Sequence, residues 1–192
     1  MRSAKKLAEK NVSLFKDLVT QETPLVGIEP SAISVFKDEY PDLVSAEQRE
    51  AAKNLAKNSL MFEEFICREI DAGRISSAAF TQASRKVVIH GHCHQKSLSD
   101  AGLIAKALSL PGNFKVETIP SSCCGMAGSF GYEKEHYEVS MKIGGLTLFP
   151  AVEKAGENAV IAASGTSCRH QIHDGTGVRA KHTAEILFEN LA

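Results

Sequence analysis

Apolar residues recur at helical spacing through the first third of the chain. Residues 4–20 carry Leu7, Val12, Phe15, Leu18 and Val19 on one side and predict an amphipathic helix. Pro24-Leu25-Val26-Gly27-Ile28 has the density of a short buried strand, and Glu29-Pro30-Ser31 breaks it. A helix through Ile33, Val35 and Phe36 is expected to stop at Tyr40-Pro41, because the residue before a proline is pushed out of the α region. Ser45-Ala46-Glu47-Gln48 fits a capping box and opens a further helix near residue 46. After Asn58-Ser59 another helix carries Phe62, Phe65, Ile66 and Ile70 and ends at Ala72-Gly73. Residues 73–85 are small and polar and read as a linker.

From residue 86 the pattern alternates between strands and helices. Lys86–His90, Phe114–Ile119 and Ala159–Ala163 are short runs rich in β-branched and small apolar residues. A helix after Cys93 with Leu98, Leu103, Ile104 and Leu108 separates the first two strands. A helix over 133–144 and a short one near 149–154 separate the second and third. Two more helices follow, from about Cys168 and over 182–191. The prediction is an α/β fold: a parallel sheet with helices on both faces (86–192), preceded by a mostly helical part (1–80). In such sheets ligands sit beyond the carboxyl ends of the strands.

Composition changes this picture little. The chain has 192 residues, a net charge of -1 and an apolar share of 43%, enough for a real core. Charge near zero offers no case for nucleic acid or an acidic membrane surface. No apolar run reaches the roughly 20 residues of a membrane span, and the basic start Met1–Lys6 runs into Leu7-Ala8-Glu9-Lys10, which is no secretory signal. A cytoplasmic protein with reduced thiols is the expectation, and a homo-oligomer stays open.

The cysteines carry the chemistry. Ser121-Ser122-Cys123-Cys124-Gly125-Met126-Ala127-Gly128 places two thiols on a backbone that can turn sharply, Cys93 lies in His90-Gly91-His92-Cys93-His94, and Cys168 closes Gly165-Thr166-Ser167-Cys168. All four follow predicted strand ends, so three segments can bring thiolates to one point. That gathering suggests a soft metal or an iron–sulfur cluster. Adjacent cysteines in extended chain project oppositely, which a multi-iron cluster accommodates better than a single zinc, though zinc remains the alternative. The structural alternative is that buried cysteines serve as small hydrophobes; Cys67, on a flank of an amphipathic helix, fits it. His90, His92 and His94 alternate and could ligate, but loop-ordering hydrogen bonds are the simpler reading. His170 and His173 read as helix surface. No phosphate loop and no nucleophile–base pair is present.

These residues resemble the cysteine-rich CCG domain found in heterodisulfide reductases, in the iron–sulfur subunit of glycolate oxidase and in FAD-linked D-lactate-type dehydrogenases. The family pattern is a cysteine, then Cys-Cys-Gly, then Cys-x-x-Cys. Cys93, Cys123-Cys124-Gly125 and Cys168 match it, and His92-Cys93-His94-Gln95-Lys96, Cys124–Tyr132 and Ser164–Arg169 look most like the FAD-linked branch. Gly27–Ala32, followed by Asp38-Glu39-Tyr40-Pro41, resembles the end of a preceding copy. Two departures stand out. Ala32 replaces the closing cysteine of that first copy, and Gly165 replaces the first cysteine of Cys-x-x-Cys.

The resemblance implies an iron–sulfur electron-transfer module of a flavin-linked 2-hydroxy-acid (lactate- or glycolate-type) oxidoreductase, inactive alone. A 4Fe-4S-type cluster would be held by Cys93, Cys123, Cys124 and Cys168. The backbone at Gly125 and Gly128 would approach it and donate N–H groups to sulfur. FAD would reside on a partner flavoprotein domain or subunit. Residues 1–80 would be the remnant of a first repeat, without a metal of its own. The gap at Gly165 implies a labile site, and Gly165→Cys would restore the family pattern. The rival reading is a zinc-stabilised or metal-free interaction module.

Overall fold

A computed structural model describes residues 1–100, 102–121 and 123–192. Ala101, within the helix expected after Cys93, and Ser122, in the cysteine stretch, lie outside the described residues.

The first helix, α1 (Arg2–Phe15), buries Ala8 and Val12 one turn apart, while Leu7 and Leu18 stay exposed. The buried side is therefore narrower than the spacing predicts, and the helix stops before Leu18 and Val19. Strand β1 (Leu25–Gly27) leads into α2 (Pro30–Lys37), where Pro30 sits in the first turn and needs no N–H partner. Pro41 does not only end a helix: it lies in the first turn of a short one, α3 (Tyr40–Leu43). The capping box at Ser45 is not formed; a 3₁₀ turn over Ala46–Gln48 precedes α4 (Arg49–Lys57). An unexpected strand, β2 (Ser59–Met61), then pairs in parallel with β1, Leu25 opposite Ser59, and α5 (Phe62–Asp71) follows. Val12, Tyr40, Val44, Ala52 and Leu55 form the core of this part.

The second part is the expected parallel sheet. Strand β3 (Arg85–His90) is followed by two helices, α6 (Cys93–Leu98) and α7 (Gly102–Leu108), where one was expected; Ser99 between them is extended. Strand β4 (Phe114–Thr118) leads through the cysteine–glycine loop to α8 (Tyr137–Ala155). This single helix replaces the two expected, because it runs through Pro150. Proline frees the carbonyl one turn earlier; here that is Leu146, 79% exposed, where water can serve it. Strand β5 (Ala159–Ala163), α9 (Thr166–Thr176) and α10 (Thr183–Phe188) complete the chain.

The strand order is β4-β3-β5, all parallel, with His90 opposite Ala163 at the carboxyl end. Val88, Ile161, Leu148, Phe149 and Ile172 pack on one face under α8 and α9. Val87, Ile89, Ile104, Leu108, Ile186 and Leu187 pack on the other under α7 and α10. Helices thus cover both faces. Among the described residues no helix is long and apolar enough to cross a membrane.

Buried polar contacts join the two parts. Glu63, 1% exposed on α5, accepts from Ser164 Oγ at 2.5 Å and from Gln95 Nε2 at 3.0 Å. His182 Nε2 meets the Ile28 carbonyl at 2.8 Å. Glu63→Ala leaves Ser164 and Gln95 without their buried acceptor and should cost about 2–4 kcal/mol. Urea denaturation checks this, with Glu50→Ala, at the surface ion pair with Lys53, as the mild control.

Candidate functional site

A cavity of about 440 Å³ opens at the carboxyl ends of the parallel strands. The end of β3 supplies His90, and the turn into α6 supplies His92, Cys93 and His94; the loop after β4 supplies Cys123, Cys124, Ala127 and Gly128; the start of α9 supplies Ser167 and Cys168. The N-terminal part reaches the same cavity with Ser31, next to Ala32. All four singled-out cysteines therefore line one space. Cys67 does not: it is 2% exposed on α5, its thiol faces the Leu103 carbonyl at 3.4 Å, and burial pushes it up to about 11.

Each loop has a local reason for its shape. Gly125 adopts φ +105°, and a Cβ there would lie 2.2 Å from the Ser140 carbonyl oxygen and 2.9 Å from Gln171 Nε2. Only glycine lets the cysteine loop lie this close to α8 and α9. The Gly125 N–H donates to Cys123 Sγ, 3.3 Å away. Gly128 lines the cavity at φ +71°. Lys96 Nζ holds the Ser121 carbonyl at 2.8 Å, and Arg169 holds the carbonyls of Ala163 and Ser164 at 3.0 and 2.6 Å.

The histidines bear on both readings of the sequence. His90 is 1% exposed, and its Nδ1 meets Ser121 Oγ at 2.7 Å, which is the expected loop-ordering bond. Yet its ligand atom also lies within 4.8 Å of the Cys124 and Cys168 sulfurs, which themselves lie within that distance of each other. His92, Cys93 and His94 form a second such group, and the His92 and His94 rings stack 5.4 Å apart. Alternation along the chain places His90 and His92 at the strand end, but nothing in the pattern signals their burial. His170 and His173 are exposed, as expected; His170 Nδ1 meets Tyr132 OH at 2.7 Å.

The buried thiols share a proton unequally. A hydrogen bond from Cys168 holds Cys124 far below the ordinary thiol range; burial opposes this, and His90 and the Met126 N–H assist it. Cys168 is pushed well above that range, first by the same bond and then by its own burial. Partial desolvation raises the exposed Cys93 thiol, and burial lowers His92. The pair can therefore carry one negative charge inside the protein, a ready soft donor for a thiophilic cation.

A Cβ at Gly165 would lie 2.2 Å from His92 Cδ2, so a side chain at 165 requires the His92 ring to shift.

No protein-family model matches the chain, and no solved structure matches it. It is 28% identical over 191 residues to a subunit of the anaerobic glycerol-3-phosphate dehydrogenase from Escherichia coli (strain K12), covering 98% of this chain and 46% of that protein. It is also 28% identical over 187 residues to D-2-hydroxyglutarate dehydrogenase of the same strain, covering 96% of this chain and 17% of that protein. The D-2-hydroxyglutarate dehydrogenase of Pantoea ananatis is 24% identical over 183 residues, again 17% of its length. The chain thus spans about half of the first relative and under a fifth of the others.

Because folded Cys124 binds fewer protons than unfolded Cys124, its contribution to stability is complete above the ordinary thiol range, about 8.5, and is lost as pH falls through its folded value. Metal-free protein at neutral pH should accordingly show ultraviolet thiolate absorbance that disappears in Cys124→Ser and persists in Cys67→Ser. Titrating that absorbance downward checks both the assignment and the sign.

Proposed function

We propose that this chain is the iron–sulfur electron-transfer module of a flavin-linked oxidoreductase, built on the cysteine-rich CCG domain. One observation carries the reading: three separate loops deliver four thiols to a single cavity at the carboxyl ends of the sheet. The similarity of nearly the whole chain to parts of two dehydrogenases supports it.

The donor set fits such a group. Cys93, Cys123, Cys124 and Cys168 would hold a cluster of the 4Fe-4S type, which takes up and passes on single electrons when bound. Cys124 is already biased to the thiolate, so little deprotonation work remains there. The Gly125 N–H at Cys123 Sγ stabilises added negative charge on that sulfur, and the exposed Gly128 edge keeps the cavity open to solvent. His90, tied to Ser121, fixes the loop that carries Cys123 and Cys124.

The flavin belongs to a partner flavoprotein domain or subunit, and the hydride chemistry is done there. We favour a 2-hydroxy acid as the oxidised substrate, the class to which D-2-hydroxyglutarate belongs; lactate and glycolate are narrower members of it. Residues 1–80 fit the remnant of a first repeat, in which Ala32 leaves no thiol to ligate, with 86–192 as the cysteine-rich copy. A cytoplasmic setting would keep the five cysteines reduced.

A second reading has its own support. The ligand atoms of His90, Cys124 and Cys168 lie within 4.8 Å of one another, compact enough for one zinc ion with an open fourth position.

Anaerobic reconstitution with iron and sulfide, followed by iron quantification and an absorption spectrum, separates the two. Several irons per chain and a brown protein are expected; one zinc or no metal contradicts the proposal. Cys124→Ser should lose most of the bound iron, while Cys67→Ser keeps it.

A further inference from the structure

Gly165 stands where the fullest cysteine pattern has a thiol, and the structure shows what fills that space. A Cβ built on Gly165 would lie 2.2 Å from Cδ2 and 3.0 Å from Nε2 of His92. The imidazole occupies the volume that a side chain at 165 would need. His92 is only 4% exposed and lines the cavity with the four cysteines. Its Nδ1 is buried and has no hydrogen-bond partner among the described residues. Burying a polar nitrogen without a partner is costly, so such an atom calls for an explanation. Its neighbours supply one: the ligand atoms of His92, Cys93 and His94 lie within 4.8 Å of one another. Imidazole is a good ligand for iron and for zinc.

We infer that His92 takes the place of the absent thiol at position 165 and supplies a nitrogen ligand, a fifth donor beside the four cysteines, to the iron–sulfur group they hold. This rests on the iron–sulfur reading above. Glycine at 165 and histidine at 92 are then one device: the glycine is the clearance that lets the ring in. A neutral imidazole in place of a thiolate leaves the site one negative charge lighter. Histidine for cysteine is associated with higher reduction potentials in iron–sulfur centres.

The test uses the whole chain, labelled with nitrogen-15 histidine, reconstituted anaerobically with iron and sulfide, and reduced for pulsed electron paramagnetic resonance. Wild type should show a strongly coupled histidine nitrogen. The cluster fraction that remains in His92→Ala should lack that coupling, and His94→Ala should keep it. His92→Phe retains a ring against Gly165 but no nitrogen, so it should lose iron as His92→Ala does; full iron retention by the phenylalanine variant would make His92 a packing residue and overturn the inference. Gly165→Cys alone should bind less iron than wild type, because the ring blocks the new side chain. The double variant His92→Ala/Gly165→Cys should regain iron, lose the nitrogen coupling and shift the reduction potential downward. Iron-loaded wild type without histidine coupling, or coupling that survives in His92→Ala, also overturns the inference while leaving the iron–sulfur reading intact. Wild type that takes up no iron removes both, and does so before any variant is made.

Discussion

The cavity depends on one buried carboxyl that comes from the other half of the chain. Glu63 sits on α5, and its two oxygens each hold a different site segment: Ser164, beside Gly165, and Gln95, two residues beyond Cys93. Burying a carboxyl away from water is tolerable only with its hydrogen bonds made, so the three elements must dock together. Glu64 extends the clamp. Its oxygens take the Met61 N–H at 2.7 Å, Ser99 Oγ at 2.9 Å and Lys37 Nζ at 2.7 Å, which pins the far end of α6. Glu29 acts at the start of α9, accepting the Thr166 N–H and hydroxyl at 2.8 Å each. Burial pushes the Glu29 carboxyl up, but those bonds and Ser31 outweigh it and leave it below its ordinary value. A carboxylate at a helix N-terminus also meets the favourable end of the helix dipole. The mostly helical first part is thus a jig for the second part's loops.

That arrangement explains how cysteines 75 positions apart (93 to 168) share one cavity. Parallel strands all end on the same edge, so loops from β3, β4 and β5 emerge side by side. β3 is central, and the segment after it lies between the other two. Its residues His90 and His92 consequently face both the Cys123–Cys124 loop and the Ser164–Cys168 turn. The same position accounts for their burial.

Much of this is legible in the sequence, and the exceptions have physical causes. The three strands of the main sheet, the helices on its faces and the placement of four cysteines at strand ends follow from periodicity and turn residues. Strand β2 does not, because three residues show no period, and its buried Ser59 looks like a turn residue until its hydroxyl is seen on the Leu55 carbonyl. Pro150 reads as a helix break because sequence does not show that its freed carbonyl meets solvent. Leu7 looks like core by spacing, yet it stays exposed while Ala8 and Val12 are buried. The roles of Glu63 and His92 are invisible for a deeper reason. Each is decided by a residue far along the chain, Ser164 for one and Gly165 for the other, and no local pattern encodes that pairing.

The cavity has two unequal sides, and the proposed electron transfer would need both. The inner side, with His90, Cys124 and Cys168, is almost wholly buried and carries the shared proton. There a low local dielectric strengthens every charge interaction and keeps water from a reduced centre. The outer side, with Cys93, His94, Ala127 and Gly128, is exposed. A group seated between them would be anchored by the inner donors and reachable from the outer edge. Transfer to a partner requires such an edge, since a centre sealed on every side could be reduced only across the thickness of the fold. The exposed residues are small or flat at that edge, as close approach demands. Stability and access are thereby assigned to different residues of the same two loops, the buried ones anchoring and the exposed ones giving access.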